Sequence, residues 1–158
     1  MSGKLQTELQ MRKPFSSLEE EAYLNMVRTV EALNHQLDVE ILKPIGLSST
    51  QYNVLRILRG AGIGTGGLTC GEIAGRMVTR DSDITRLLDR MEERELVTRQ
   101  RDTVDRRSVK AFITPKGLAL LKQLDKPLSD QHRRNLNKLN QSQLRTLIEL
   151  LEAARPEA

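Results

Sequence analysis

Three observations predict a mainly α protein with a small β-hairpin. Leucine supplies 25 of the 158 residues while aromatic residues make up only 3 %, a composition that suits helices better than a sandwich or barrel. Apolar residues recur every three or four positions through most of the chain, and beyond residue 96 that period gives way to alternation. A Ser, Thr or Asn followed three residues later by Glu or Gln stands ahead of several of these runs, the pattern of a helix capping box. The length fits one compact domain, or two small lobes sharing helices, and excludes a large multidomain enzyme.

Residues 1–16 are polar and unpatterned and read as a flexible N-terminus. Ser17 and Glu20 form a capping box, after which Tyr23, Met26, Val27, Val30, Leu33, Leu37 and Ile41 mark one long amphipathic helix of about seven turns, stopped by Lys43-Pro44. Gly46 breaks the chain. Ser48 with Gln51 opens a short helix lined by Tyr52, Leu55 and Leu58, and the segment GAGIGTGG that follows holds five of the ten glycines. Thr69-Cys70-Gly71-Glu72 is a further capping box, for a two-turn helix with Ile73, Ala74 and Met77 inward. Thr79 is the expected cap of the next helix, Arg80 to about Arg94, in which Ile84, Leu87, Leu88 and Met91 fall on one face.

From Leu96 the segments LVTRQR and SVKAFIT flank DTVDRR, so a two-stranded hairpin with an arginine-bearing tip is expected. Thr114-Pro115 starts another helix through Leu118, Leu121, Leu124 and Leu128, extending toward Leu139, with Pro127 expected to kink or split it. Asn140 with Gln143 caps a last helix carrying Leu144, Leu147, Ile148 and Leu151.

The net charge of +4 permits a polyanionic partner without requiring one. Of the 25 basic residues 17 are Arg, whose planar fork suits phosphates and guanine edges. One Cys cannot form an intrachain disulfide, and neither a secretory signal nor a stretch of about 18 apolar residues is present, so a soluble, cytoplasmic protein without a membrane partner is expected.

Helix, short helix, helix and hairpin across residues 48–114 follow the order of a winged helix-turn-helix. On the third helix, a turn of 100° per residue sets Ser82, Arg86, Asp89 and Glu93 opposite the apolar stripe, with Thr85 and Arg90 on its flanks. Such a helix can bury one side and offer the other to a major groove, and its N-terminal amides favour a phosphate. Thr79, Arg80, Ser82, Thr85, Arg86 and Arg90 are therefore its candidate DNA contacts, and Arg106 and Arg107 at the hairpin tip suit a minor groove. Residues 79–110 nonetheless hold nine basic and eight acidic side chains, the mixture of any solvated surface. Position carries the inference more than charge does.

The run LTCGEIAGRMVTRDSDITRLLDRMEERELVTRQRDTVDRRSVKAFITPKG resembles the winged-helix core of the MarR (multiple antibiotic resistance regulator) family of bacterial transcription factors. The similar stretches are ITRLLDRME followed by LV, the wing DRRSV and the exit TPKG, and the flanking helices extend the resemblance over about residues 17–154. It implies a homodimeric repressor or activator, with residues 17–44 and 115–154 forming dimerisation helices around a DNA-binding domain at 48–114 and a palindromic operator as partner. By position, Ser82, Thr85 and Arg86 match groove-facing residues, Asp105 the wing aspartate that orients an arginine, and Arg107 the arginine that reaches the minor groove. Glu95 stands where the family has a glycine or small polar residue, so another turn is expected to replace the left-handed helix cap.

Other signals have plainer readings. GIGTGG matches a dinucleotide fingerprint but lacks a surrounding βαβ unit, and reads as a surface loop. Cys70, near a helix start, is a candidate redox residue. His35 and Tyr52 are candidate contacts for a small aromatic or carboxylate effector, of the kind the resemblance implies between dimer helices and winged core; both also lie on helices that must pack. Two histidines and one cysteine offer no metal-site spacing, no cofactor is indicated, and no nucleophile with its base can be picked out, so no enzyme is expected. The competing function is a winged-helix module for protein interaction without specific DNA binding.

Overall fold

The computed structural model describes residues 3–62, 66–80 and 83–156. They form two compact units, Met1–Ile45 and Gly46–Ala158. Compactness thus groups the helices after residue 114 with the winged core, whereas the sequence reading grouped them with the first long helix by role.

In the first unit a short helix α1 (Lys4–Glu8) buries Leu5, so residues 1–16 are not wholly irregular as expected. One leucine in a polar stretch gave no periodicity to read. The long helix α2 (Leu18–Leu37) starts where Ser17 Oγ accepts the Glu20 amide at 3.1 Å. The capping box is only half formed, because Glu20 reaches back one residue farther, to the amide and hydroxyl of Ser16. Beyond Leu37 the chain widens into a π-helical turn (Asp38–Leu42) and then a 3-10 turn (Lys43–Ile45). Pro44 lacks the amide that would bond the Glu40 carbonyl, and the pitch changes ahead of it.

The second unit opens with Gly46 at φ +67°, a left-handed conformation that favours glycine. Helix α3 (Ser49–Gly60) carries the full Ser48/Gln51 capping box, and α4 (Cys70–Arg76) the Thr69/Glu72 one. In α4 Ile73 is fully buried and Met77 beyond it half-buried, but Ala74 is exposed. Helix α5 (Ile84–Glu93) buries Ile84, Leu87, Leu88 and Met91 as predicted. It begins four residues later than expected: Asp83, not Thr79, is the N-cap and accepts the Arg86 amide at 3.0 Å.

Strands β1 (Val97–Arg101) and β2 (Val109–Ile113) pair antiparallel with Val97 opposite Ile113 and Arg101 opposite Val109. Leu68 adds a one-residue third strand on the other edge of β2, exchanging both backbone bonds with Ala111 at 3.0 and 2.8 Å. Helix α6 (Pro115–Asn135) runs unbroken through Pro127. The proline is exposed, so the Gln123 carbonyl it leaves free can face water, while Leu121, Leu124 and Leu128, centred about a quarter turn round the helix, are buried in the core. Helix α7 (Gln141–Ala153) follows with the Asn140/Gln143 box. The core joins Val54, Leu55 and Leu58 of α3, Ile73 of α4, Leu88 and Met91 of α5, Leu96, Val97 and Leu121, all at most 2 % exposed.

Glu95 corrects the sequence reading. It adopts the left-handed conformation itself, at φ +59°, where a glycine was expected to be needed. Its surroundings hold it: the carbonyl accepts from Thr114 Oγ1 at 2.6 Å and the carboxylate pairs with Lys116 at 3.1 Å.

Candidate nucleic-acid interface

Helix α4, the intervening turn and α5 form the helix-turn-helix, and α5 projects its polar side outward. Thr85, Arg86 and Arg90 are exposed, as are Thr79 and Arg80 in the turn before the helix. Ser82 lies outside the described residues. Arg86 is tied loosely to its own helix start, with Nε 3.2 Å from Asp83 and 78 % of its side chain exposed.

The wing packs against this helix through an arginine that sequence reasoning counted only as charge. Arg99 of β1 reaches Asp89 at 2.6 Å and Glu92 at 2.8 and 3.0 Å, while its amide donates to Glu92 at 3.0 Å. The bonds from Glu92 and then Asp89 outweigh partial burial and raise the guanidinium pKa. Asp89, expected on the groove-facing side, is thus engaged with the wing. The pattern of a strand arginine seven and ten residues after two helix acids was the signal available for this contact.

At the wing tip, Lys110 holds Asp102 at 2.6 Å, and Asp102 Oδ1 also accepts the Val104 amide at 2.9 Å. These bonds, that from Lys110 first, lower the Asp102 pKa, and the same pair raises that of Lys110. Asp105 Oδ1 accepts the Arg107 amide at 3.0 Å, and its carbonyl accepts the Ser108 amide at 2.9 Å. The aspartate thus closes the backbone turn that carries Arg107. Asp105, Arg106 and Arg107 are all exposed.

Sorting the charges changes the balance read from composition. Asp89 and Glu92 are taken by Arg99, Asp102 by Lys110, Asp83 by Arg86 and Glu95 by Lys116. Arg80, Arg90, Arg101, Arg106 and Arg107 have no acidic partner among the described residues. On α5 and the wing this leaves four exposed arginines, Arg90, Arg101, Arg106 and Arg107, against two exposed acids without an ion pair among the described residues, Glu93 and Asp105.

Over residues 47–109 the sequence matches the MarR family. A MarR transcription factor from Planctomyces limnophilus is 41 % identical, the match covering 89 % of this chain and 99 % of that one at a TM-score of 0.66. The chain belongs to the MarR family. A mutant MarR from E. coli, solved with operator DNA, is 26 % identical over 89 % of this chain and 100 % of that one, with a TM-score of 0.72. An uncharacterized HTH-type regulator of Bacillus subtilis, YsmB, is 33 % identical over 98 residues, 62 % of this chain, and the match spans 64 % of that protein's length. The MarR family is one of transcription regulators and is non-enzymatic.

The remaining candidates lie on other elements. Cys70 is half-buried with Sγ 4.0 Å from Thr85 Oγ1, beside the exposed side of α5. His35 is exposed on α2 in the first unit, and Tyr52 half-buried on α3 in the second. Among the described residues no cluster of His, Cys, Asp and Glu could hold a metal, and no helix is long and apolar enough to cross a membrane.

Proposed function

We propose that this protein is a homodimeric repressor that reads a palindromic operator with α5 in the major groove and the wing in the adjacent minor groove, and that a small aromatic or carboxylate effector releases it. The observation that carries the reading is the arginine excess left exposed on α5 and the wing once internal ion pairs are formed. Thr79, Arg80, Ser82, Thr85, Arg86 and Arg90 serve the major groove, and Asp105, Arg106 and Arg107 the minor groove. MarR homologues bind operator DNA and small-molecule ligands; His35 and Tyr52, each on its own unit, are the candidate effector contacts.

Two-fold assembly is supported by apolar side chains that the single chain leaves uncovered. Tyr23, Val27 and Val30 of α2 and Ile148, Leu150 and Leu151 of α7 are 39 to 63 % exposed, and neither helix buries a residue. Removing residues 140–158 should weaken or abolish dimerisation, and a full-length protein that sediments as a monomer at micromolar concentration would refute the assembly.

The function is tested by titrating purified protein against DNA from its own upstream region and against scrambled DNA at several salt concentrations. Six to ten phosphate contacts per dimer predict a loss of affinity of roughly 10³ to 10⁵ between 50 and 200 mM salt. Equal affinity for both DNAs would favour the protein-interaction module instead.

A further inference from the structure

Three cations stand on the strands of the wing, and the structure treats one of them differently. Arg99 is held by Asp89 and Glu92, and Lys110 by Asp102. Arg101 is exposed and has no side-chain partner among the described residues.

Strand alternation sets Arg101 on the same face as Val97 and Arg99. That face is turned toward α5, since Val97 is fully buried and Arg99 meets the two helix acids. Strand β1 doubles back along α5, so Arg99 reaches from Glu92 toward Asp89, nearer the start of the helix. Two further strand residues advance about 6.6 Å, equal to about four residues of helix. With the Arg99 amide bonded to Glu92, the Arg101 backbone therefore stands about level with Leu88, farther along β1 toward the wing tip.

If α5 lies in a major groove and the wing tip in the neighbouring minor groove, one sugar-phosphate strand runs between them. We propose that Arg101 contacts the phosphates of that strand, clamping DNA between helix and wing without reading its sequence. This rests on the DNA-binding reading above and adds a residue belonging to neither the recognition helix nor the wing tip. The neighbouring acids leave the arginine available, because Asp89, Glu92 and Asp102 are already engaged. Its planar fork suits a phosphate.

The test compares wild type with Arg101→Ala, Arg101→Gln and Arg101→Lys by fluorescence anisotropy, on the operator and on scrambled DNA of equal length, from 50 to 400 mM salt. Removing one contact per protomer from a dimer should flatten the log–log salt slope by about 1.8 and weaken binding about 60-fold at 0.1 M and about 20-fold at 0.2 M salt, taking 1 M as the reference at which the contact contributes nothing. The loss should be the same factor on both DNAs for Ala and Gln, and Lys should keep the wild-type slope. Unchanged affinity and slope in the Ala and Gln variants, with wild-type melting temperatures, would overturn the proposal. So would a loss confined to the operator, which would make Arg101 a reader of bases. Failure of the wild type to bind either DNA would instead remove the functional reading on which the proposal stands.

Discussion

Replacing Arg99 by alanine removes three guanidinium bonds that join β1 to α5, at 2.6, 2.8 and 3.0 Å. The arginine side chain is 25 % exposed, its partners Asp89 and Glu92 48 % and 38 %. A fully exposed ion pair contributes about 0.2 to 1 kcal/mol. Two pairs sharing one half-shielded arginine, discounted for solvent screening, should together contribute about 1 to 2 kcal/mol. For a protein of this size that is a fall in Tm of roughly 2 to 8 °C. Thermal unfolding at fixed protein concentration would measure it, with Asp89→Asn, Glu92→Gln and their combinations with Arg99→Ala completing double-mutant cycles. The cycles should give coupling for both acids, larger in low salt. A Tm change below 1 °C, or strictly additive effects, would refute the idea that this arginine fastens the wing to the helix.

Five further perturbations bear on the same unit. Gly117→Ala would place a Cβ 2.5 Å from the Leu96 carbonyl oxygen and 2.9 Å from Ile113, so it should destabilise by about 1 to 3 kcal/mol in a denaturant titration. Arg86→Ala should cost about 1 to 3 kcal/mol on the operator and relax preference at a few positions, whereas Arg107→Ala should reduce affinity and salt dependence with any lost preference confined to flanking A·T-rich steps, and Asp105→Ala should follow Arg107→Ala; unchanged anisotropy titrations for both arginine variants would remove them from the interface. Because the folded Asp102 has a lowered pKa, its contribution to the wing should be complete above the unfolded value of about 3.9 and be lost as pH falls through the lower folded value, so the NMR shift of the Val104 amide should titrate below pH 3.9 and cease to do so in Asp102→Asn.

The helices of the winged unit were legible because their apolar periodicity and caps agree: Ser48, Thr69, Thr114 and Asn140 all cap where expected. The start of α5 was misplaced because Thr79 and Asp83 are both good caps by type, and composition does not rank two such residues four positions apart. Leu68 was missed as a strand because one bridging residue has no alternation to detect. Pro127 does not split its helix: the lost backbone bond lies on an exposed side, while Leu121, Leu124 and Leu128 are buried on either side of it in sequence. The candidate DNA-facing positions are legible in the sequence as an exposed set, but which of their arginines lack an acidic partner depends on Arg99 and Lys110, whose partners lie on other elements or across a turn.

Helix α6 is rooted where several elements meet. Thr114 caps it and bonds the Glu95 carbonyl, Lys116 holds the Glu95 carboxylate, and Gly117 lies against the backbone of Leu96 at the foot of the wing. From that root its 21 residues span about 31 Å at 1.5 Å per residue. Turned as one piece, such a helix is a lever: displacing its far end near Asn135 by about 3 Å rotates its foot by about 5°, a small rotation delivered to the residues that join α5 to the wing.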